Sequence, residues 1–271
     1  MCESKHLMRV QRTEGALASS TTQYIGQEAC SVFVVVRQEE SPISDVSSVV
    51  EKITRELKDN SNPERKVKIS KYMKTSNLRF IGVELPDIHR IVKTHIKPLK
   101  PEQLPSLMGE LWSTESFETR LAAIDMMKVY AKKAPVEKAL DIIDCWIDEI
   151  DTWGICDPLC QPCIGTLLYR DPSIAKTLEE WRDSDNFWRR RCSVLPYLFL
   201  CLKANYQPEF DSRILKAVEP HIDDEEFFVG KAAGWVLREL SKRNPHLVRG
   251  YIDKNKDRMT KLVLREGSKK L

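Results

Sequence analysis

Two short segments of the sequence combine an indole ring with a charged side chain at helical spacing. Trp153 and Asp157 are four residues apart, which places them one turn apart on the same face of a helix. Trp235 and Arg238 repeat the arrangement with a cation, three residues apart. Between these segments, residues 186–192 (NFWRRRC) form an aromatic and cationic helix start. One carboxylate flanked by tryptophans and arginines suits a site that holds a polyanion and stabilises a cation within it.

The elements that carry these residues are predicted to be helices. Ten glycines in 271 residues disfavour an all-β fold with many tight turns. Successive helix pairs recur at roughly 35–40 residues, within the range of HEAT-type repeats. The sequence therefore predicts an all-α fold, an α-solenoid of HEAT-like helical repeats with a concave, basic groove. Helical periodicity of apolar residues places helices at 46–57, 113–130, 140–150, 174–181, 186–202, 213–218, 224–241 and 245–251.

The N-terminal part of the chain differs in composition from this helical body. Residues 1–44 are rich in Ser, Thr and Gln and contain one β-like run at 30–36. We expect a poorly ordered extension there and a single helical-repeat domain over residues 45–271. No apolar run approaches the length of a membrane span.

Charge is distributed unevenly although the net charge is only +3. Residues 64–79 carry six cations and one anion, residues 251–271 carry seven cations and three acids, and residues 137–157 carry seven acids and one lysine. Each run taken alone is typical of a solvated helix face. Together with the arginines at 189–191, the cations could line one groove that follows a phosphate backbone.

Three of the eight cysteines, Cys156, Cys160 and Cys163, form a C-x3-C-x2-C pattern. The same spacing occurs in radical enzymes that hold an iron–sulfur cluster, but there it follows a barrel strand, and no alternation of strands and helices surrounds it here. On a helix the three residues share one face, which favours packing in the core as small apolar groups. Pro158 and Pro162 predict a first turn or a kink in this helix.

The ordered set of motifs resembles the AlkD family of DNA alkylation-repair glycosylases, which are built from HEAT-like repeats. The resemblance runs from about residue 62 to the C-terminal region. Trp153 and Asp157 match the family's Trp-x-x-x-Asp catalytic element, and residues 186–191 match its Asn-x-Trp-x-x-Arg element. The other matching segments are 62–65 (NPER), 71–74 (KYMK), 80–86 (FIGVELP), 111–112 (LW), 117–125 (FETRLAAID), 226–239 (EFFVGKAAGWVLRE) and 244–245 (NP).

The resemblance implies the role of each site residue. Asp157 would be the catalytic carboxylate, with Trp153 and Trp235 pressing against the sugar and backbone of the damaged nucleotide. Arg191 would hold a phosphate. Further candidates for the DNA-binding surface are Arg238, Lys231, Arg190 and Tyr72. Thr152 and Gly154 depart from the family, whose members often have Asn and Asp there, and this leaves the substrate range open.

The resemblance also implies the reaction. A monomer of this kind would hydrolyse the N-glycosidic bond of cationic N3- or N7-alkylated purines in double-stranded DNA, as a step of base excision repair. It would need no metal or other cofactor, and it would read the lesion from the backbone side without flipping the base. Such a protein is expected in the cytoplasm, at the nucleoid, of a prokaryote, or in the nucleus or an organelle of a eukaryote.

Alternative interpretations remain open at this stage. The fold also suits a non-catalytic protein that binds unusual DNA, or a scaffold for protein partners. Asp157 could cap a helix that Pro158 begins, and Trp153 and Trp235 could be core residues. The arginines at 189–191 could pair with Asp183 and Asp185. The remaining tryptophans, Trp112, Trp146, Trp181 and Trp188, are predicted to lie in the core.

Overall fold

Apolar residues at helical spacing form helices throughout residues 43–271, which are the residues that the computed structural model describes. The predicted extension at 1–44, with its β-like run, lies outside them apart from its last two residues, which begin the first helix. Over the described range there is no strand, and one isolated bridge pairs Arg79 with Ser116. The helices are α1 Ile43–Asp59, α2 Pro63–Tyr72, α3 Leu85–Ile96, α4 Leu104–Trp112, α5 Phe117–Tyr130, α6 Val136–Ile147, α7 Trp153–Leu159, α8 Gly165–Arg170, α9 Ala175–Arg182, α10 Phe187–Val194, α11 Leu198–Cys201, α12 Asp211–Val218, α13 Phe227–Ser241, α14 Pro245–Asn255 and α15 Lys261–Gly267.

Helices pack mainly on their neighbours in the chain, as expected for a helical repeat. Helix α4 packs on α5, α9 packs on α10, and α12, α14 and α15 pack on α13. Helices α5 and α13 are buried along most of their length, whereas α6 and α12 bury one face. The all-α prediction is therefore confirmed. The four tryptophans assigned to the core are each at most 5% exposed, which confirms that assignment too.

Several predicted helix ends are confirmed and others are displaced by local backbone constraints. The helix predicted over 174–181 is α9, Ala175–Arg182, and the turn Pro172–Ile174 leads into it. Asp171 begins that turn by accepting a hydrogen bond from the Ser173 N–H at 2.9 Å. Asn186 caps α10, but the predicted helix 186–202 is broken by a 3₁₀ turn at Leu195–Tyr197. Pro196 has no backbone N–H, so it cannot donate the hydrogen bond that would continue the α-helix. Helix α5 begins at Phe117 instead of 113 because Glu115 has a positive φ of 53°.

The prolines after Asp157 change the helix type instead of starting a new helix. Thr152 is the N-cap of α7 and accepts a hydrogen bond from the Gly154 N–H. The interpretation of Asp157 as an N-cap is therefore wrong, since Asp157 lies inside α7. A π-helical turn, Cys160–Ile164, follows and joins α7 to α8. Such turns occur mostly within α-helices, and they often mark functional sites.

One buried carboxylate fixes the loop that holds α2 against the rest of the fold. Glu118, on α5, is 1% exposed and accepts hydrogen bonds from the N–H groups of Ile81 and Gly82 at 2.8 and 2.7 Å. Gly82 has a φ of 95°, a conformation that favours glycine. The carbonyl of Gly82 accepts a hydrogen bond from the Asn62 N–H at 3.0 Å, so Glu118 also helps to fix the start of α2, where Asn62 is the N-cap.

Candidate active site

Helix α7 presents Trp153 and Asp157 on the same face, as their spacing predicts. Both side chains are partly exposed, whereas the residues between them are buried. The ring of Tyr72, at the end of α2, meets Trp153 edge to face with 5.2 Å between ring centroids. Tyr72 is 67% exposed. The two rings thus form a partly solvent-exposed aromatic surface, one helical turn from Asp157.

The end of α2 is attached to the start of α7 by contacts that sequence reasoning missed. Asp151 accepts hydrogen bonds from the Ser76 hydroxyl at 2.9 Å and from the Asn77 N–H at 2.5 Å. Thr152 donates through its hydroxyl to the sulfur of Met73 at 3.3 Å. A Cβ at Gly154 would lie 2.6 Å from Met73 Cε, so the glycine leaves room for this methionine. An acid directly before a helix N-cap was the only signal for Asp151 in the sequence.

Asp157 and Arg191 form a buried ion pair between α7 and α10. Arg191 donates from Nε and Nη2 to the Oδ1 atom of Asp157, at 2.9 and 2.8 Å. Its third donor, Nη1, binds the backbone carbonyl of Phe228 at the start of α13. The Arg191 side chain is 4% exposed and that of Asp157 is 19% exposed. Arg191 therefore connects α7, α10 and α13 behind a carboxylate that reaches the surface.

The surroundings of Asp157 shift its ionisation toward neutral pH. Burial raises the pKa of the carboxyl to about 6, although the Arg191 guanidinium acts in the opposite direction. The carboxyl is mostly ionised above that pH. Within the described residues its Oδ2 atom has no hydrogen-bond partner, so an anionic oxygen is free to face a substrate.

The three consecutive arginines of α10 are engaged in ion pairs within the fold. Arg189 binds Asp144 and Asp148 of the preceding repeat, with Nη1 and Nε each 2.6 Å from a carboxylate oxygen. Arg190 binds Asp224 at 2.9 Å. The predicted pairing with the Asp183 and Asp185 carboxylates is wrong, because these face other groups or solvent, and only the Asp185 carbonyl accepts from Arg190. Arg189 and Arg190 thus form ion pairs with two acids of the run at 137–157 and with Asp224.

The predicted site residues on α13 lie along the same helix as the Phe228 carbonyl. Trp235 is partly exposed and lies 6.0 Å from the Arg238 guanidinium. Arg238 donates to the buried carboxylate of Glu266 at 2.8 Å. Lys231 is exposed and its ammonium lies 5.5 Å from the ring centroid of Phe227, which is 51% exposed. No contact among the described residues joins Trp235 to Asp157 directly.

The structure therefore brings the predicted site residues together in two groups. Tyr72, Trp153, Asp157 and Arg191 form one group through ring contact, helix spacing and the ion pair. Trp235, Arg238 and Lys231 form the second group on α13, which Arg191 links to the first through Phe228. Arg190 belongs to neither group, since its guanidinium is bound to Asp224 and to the carbonyls of Ser184 and Asp185.

The cysteine pattern is buried, as predicted, but its three members do not converge. Cys156, Cys160 and Cys163 are all fully buried. Cys163 directs its thiol at the carbonyls of Ile124 and Pro158. The thiols of Cys156 and Cys160 instead meet that of Cys192, on α10. Cys192 lies beside Arg191 in the sequence and was not part of the pattern.

Comparison with known proteins assigns the chain to a family. A family model described as DNA alkylation repair enzyme matches residues 53–271. The chain therefore belongs to the family of DNA alkylation repair enzymes, and this confirms the resemblance seen in the sequence. No curated protein matches the chain. No helix in the described part of the chain is long and apolar enough to cross a membrane.

Solved structures show the same fold. A predicted DNA alkylation repair enzyme from Enterococcus faecalis is 26% identical, with a TM-score of 0.67, and the match covers 78% of this chain and 97% of that one. The protein smu.31 from Streptococcus mutans UA159 is 16% identical with a TM-score of 0.58, over 82% of this chain and 98% of that one. AlkD2 from Streptococcus mutans is 18% identical with a TM-score of 0.56, over 76% and 98% of the two chains. The role in DNA alkylation repair follows from the family, and the helical-repeat fold from all three structures.

Proposed function

We propose that the protein is a DNA glycosylase that hydrolyses the N-glycosidic bond of cationic N3- and N7-alkylated purines in double-stranded DNA. The observation that carries the proposal is the carboxylate of Asp157. One of its oxygens is fixed by Arg191, and the other has no hydrogen-bond partner among the described residues. It lies one helical turn from the partly exposed ring of Trp153, which Tyr72 contacts. A fixed anion of this kind stabilises a cation that develops next to it.

The chemistry follows from the charge of the lesion. An alkylated purine already carries a positive charge, so the bond to C1′ breaks when its electron pair passes to the base, which leaves neutral. The sugar that remains is an oxocarbenium-like cation, and Asp157 stabilises it through Oδ2. Water then adds to C1′, and its proton passes to Asp157 or to solvent. No metal or other cofactor takes part in this proposal.

The other predicted residues bind the DNA around this carboxylate. Trp153 and Trp235 pack against the sugar and backbone, where aromatic faces attract a cation and exclude water. Lys231, Arg238 and the hydroxyl of Tyr72 bind phosphates. Arg191 and Arg190 could reach a phosphate only by sharing a guanidinium that other groups already hold, so we assign Arg191 a positioning role.

The test is release of free base from duplex DNA carrying N7-methylguanine. Asp157→Asn is expected to lower the single-turnover rate by about 100-fold or more, the effect of losing one preorganised electrostatic group. Glu179→Gln, an exposed carboxylate on α9, is the matched control and should change nothing. Uracil, a neutral lesion, should not be released by either protein.

Other outcomes would contradict the proposal in distinct ways. Equal release by Asp157→Asn and the unmodified protein would assign catalysis to another group. No release from N7-methylguanine or 3-methyladenine, with DNA binding retained, would define a non-catalytic member of the family that binds DNA.

A further inference from the structure

Three thiols, from α7, from the π-helical turn after it and from α10, converge behind the Asp157–Arg191 pair. The sulfur atoms of Cys156 and Cys160 on one side and Cys192 on the other are separated by 3.7, 3.6 and 3.0 Å. We call these three residues the thiol cluster. All three side chains are inaccessible to solvent or nearly so. Cys156 precedes Asp157 in the sequence and Cys192 follows Arg191, so the cluster joins the same two helix segments as the ion pair.

The spacing of the cluster matches that of metal ligands. Zinc–sulfur bonds of about 2.3 Å place the thiolates of a tetrahedral site about 3.8 Å apart. Two of the three sulfur–sulfur distances lie within about 0.2 Å of that value, and the third is closer. The three sulfurs are therefore close enough together to bond to one ion once the side chains of Cys160 and Cys192 separate slightly. Among the described residues no fourth His, Cys, Asp or Glu ligand joins them.

One cation lies beside the cluster. Three thiolates and a divalent ion carry a net charge of −1, which is costly to bury without a partner. Arg191, next to Cys192 in the sequence, interacts electrostatically with the cluster as well as with Asp157, so its charge offsets that of the cluster in part. Soft thiolate ligands select thiophilic ions over magnesium or calcium. Cys163 provides a contrast, because it is equally buried on the same helical segment but faces backbone carbonyls.

We propose that Cys156, Cys160 and Cys192 bind a single thiophilic metal ion of the zinc and monovalent-copper class. Binding replaces the three thiol protons, which pass to solvent, by three metal–sulfur bonds. The ion links α7 and the π-helical turn to α10, behind the residues that the substrate would meet. It has a structural role and takes no part in bond cleavage, so the proposal does not depend on glycosylase activity.

The experiment measures binding of cadmium, which reports on thiolates by an ultraviolet charge-transfer band. The full-length protein is prepared reduced and metal-free, and Cd²⁺ is added both to the folded protein and during refolding, so that burial of the site does not prevent access. Cys160→Ala and Cys192→Ala remove cluster ligands. Cys163→Ala is the matched control, because it truncates an equally buried thiol outside the cluster. Circular dichroism verifies that each variant is folded.

The expected result is one strongly bound Cd²⁺ per chain in the unmodified protein and in Cys163→Ala. Loss of a ligand should weaken binding by about 100-fold or more in Cys160→Ala and Cys192→Ala. Competition of Zn²⁺ and Cu⁺ against Cd²⁺ then identifies the preferred ion. Failure of the unmodified protein to bind by either route, or equal weakening in Cys163→Ala, would overturn the proposal. Neither result would bear on base release, which is measured separately.

Discussion

Arg191 directs two N–H groups, Nε and Nη2, at a single oxygen of Asp157, the Oδ1 atom, at 2.9 and 2.8 Å. A fork of this kind more often binds both oxygens of a carboxylate, one donor to each. Here both donors bind Oδ1, so the carboxylate is held through one oxygen and Oδ2 stays available. The carbonyl of Phe228 takes the third donor and fixes the guanidinium in turn. Asp157 is thereby oriented by a residue that is itself almost wholly buried.

Replacing Arg191 by lysine should impair catalysis more than DNA binding. An ammonium keeps the charge but cannot make two parallel bonds to Oδ1 and a third to Phe228. We expect the single-turnover rate of base release to fall by about tenfold or more, while the affinity for undamaged duplex changes by less than about threefold. Arg190→Lys is the matched control, since Arg190 is the next residue and binds Asp224 instead. A fall in affinity as large as the fall in rate would instead assign Arg191 to phosphate binding.

The pH dependence of base release should follow the ionisation of Asp157. Because burial raises the pKa of this carboxyl to about 6, the ionised and active form is lost as the pH falls through 6. An unperturbed aspartate would stay active down to about pH 4. Single-turnover rates in a chelating buffer, corrected for spontaneous base loss, should rise about tenfold per pH unit below pH 6 and level off above it. A rate that stays constant down to pH 5 would exclude Asp157 as the titrating group.

Arg191→Lys should also displace this profile, which a purely structural role would not do. The guanidinium lowers the pKa of Asp157 both by its charge and by its hydrogen bonds. Lysine loses the paired hydrogen bonds, so the acid limb is expected to move to higher pH. The limb in Arg190→Lys should remain near pH 6.

The sequence allowed the fold and the shared helix face of Trp153 and Asp157 to be predicted, because both depend on local spacing. A four-residue interval on one helix is sufficient to place Trp153 and Asp157 on one face. The ion pair between Asp157 and Arg191 joins residues 34 positions apart. Such pairings depend on how two helices pack, which the pattern of each helix does not specify. The same reason explains why Cys192 was missed: nothing near it in the sequence relates it to Cys156.

The assignment of charge shows a second limit of local reasoning. Three adjacent arginines resemble a phosphate-binding run, yet Arg189 and Arg190 bind acids contributed by neighbouring repeats. The acids that bind these arginines are present in the sequence, within 137–157 and at Asp224. The sequence does not show, however, that the packing of neighbouring repeats places these acids against α10. The cations of 64–79 differ from these arginines: Lys66, Lys68, Lys71 and Lys74 are exposed, without an ion pair to any other described residue.

The lysines of α2 and the residues just after it are therefore expected to contribute more to DNA affinity than the arginines of α10. Lys71 and Lys74 flank Tyr72, whose ring contacts Trp153. Lys71→Ala combined with Lys74→Ala should weaken binding to any duplex. The slope of log affinity against log salt concentration should become shallower by about 1–2, one unit for each phosphate that is no longer neutralised.

The control, Lys138→Ala combined with Lys176→Ala, removes the same charge from exposed positions of α6 and α9. Fluorescence anisotropy over a series of salt concentrations measures the slopes. Equal slopes in the two double variants would reject α2 as a DNA-binding surface.

A single methyl group at Gly234 should disturb the α13 part of the site. A Cβ there would lie 2.6 Å from Glu266 Cβ and 3.2 Å from the Val263 carbonyl, so α15 would have to move away from α13. Gly234→Ala is expected to lower the free energy of unfolding by about 1–3 kcal/mol, as overpacking does. Since Glu266 also holds Arg238 beside Trp235, base release should fall as well.

Gly250→Ala is the matched control: Gly250 is exposed on α14 with nothing within 4 Å of the added Cβ. There the same change should raise the free energy of unfolding by about 0.4–1 kcal/mol, because alanine lowers the entropy of the unfolded chain. Urea unfolding monitored by circular dichroism measures both variants, and effects of the same sign would show that the packing of α13 on α15 is less tight than the structure indicates.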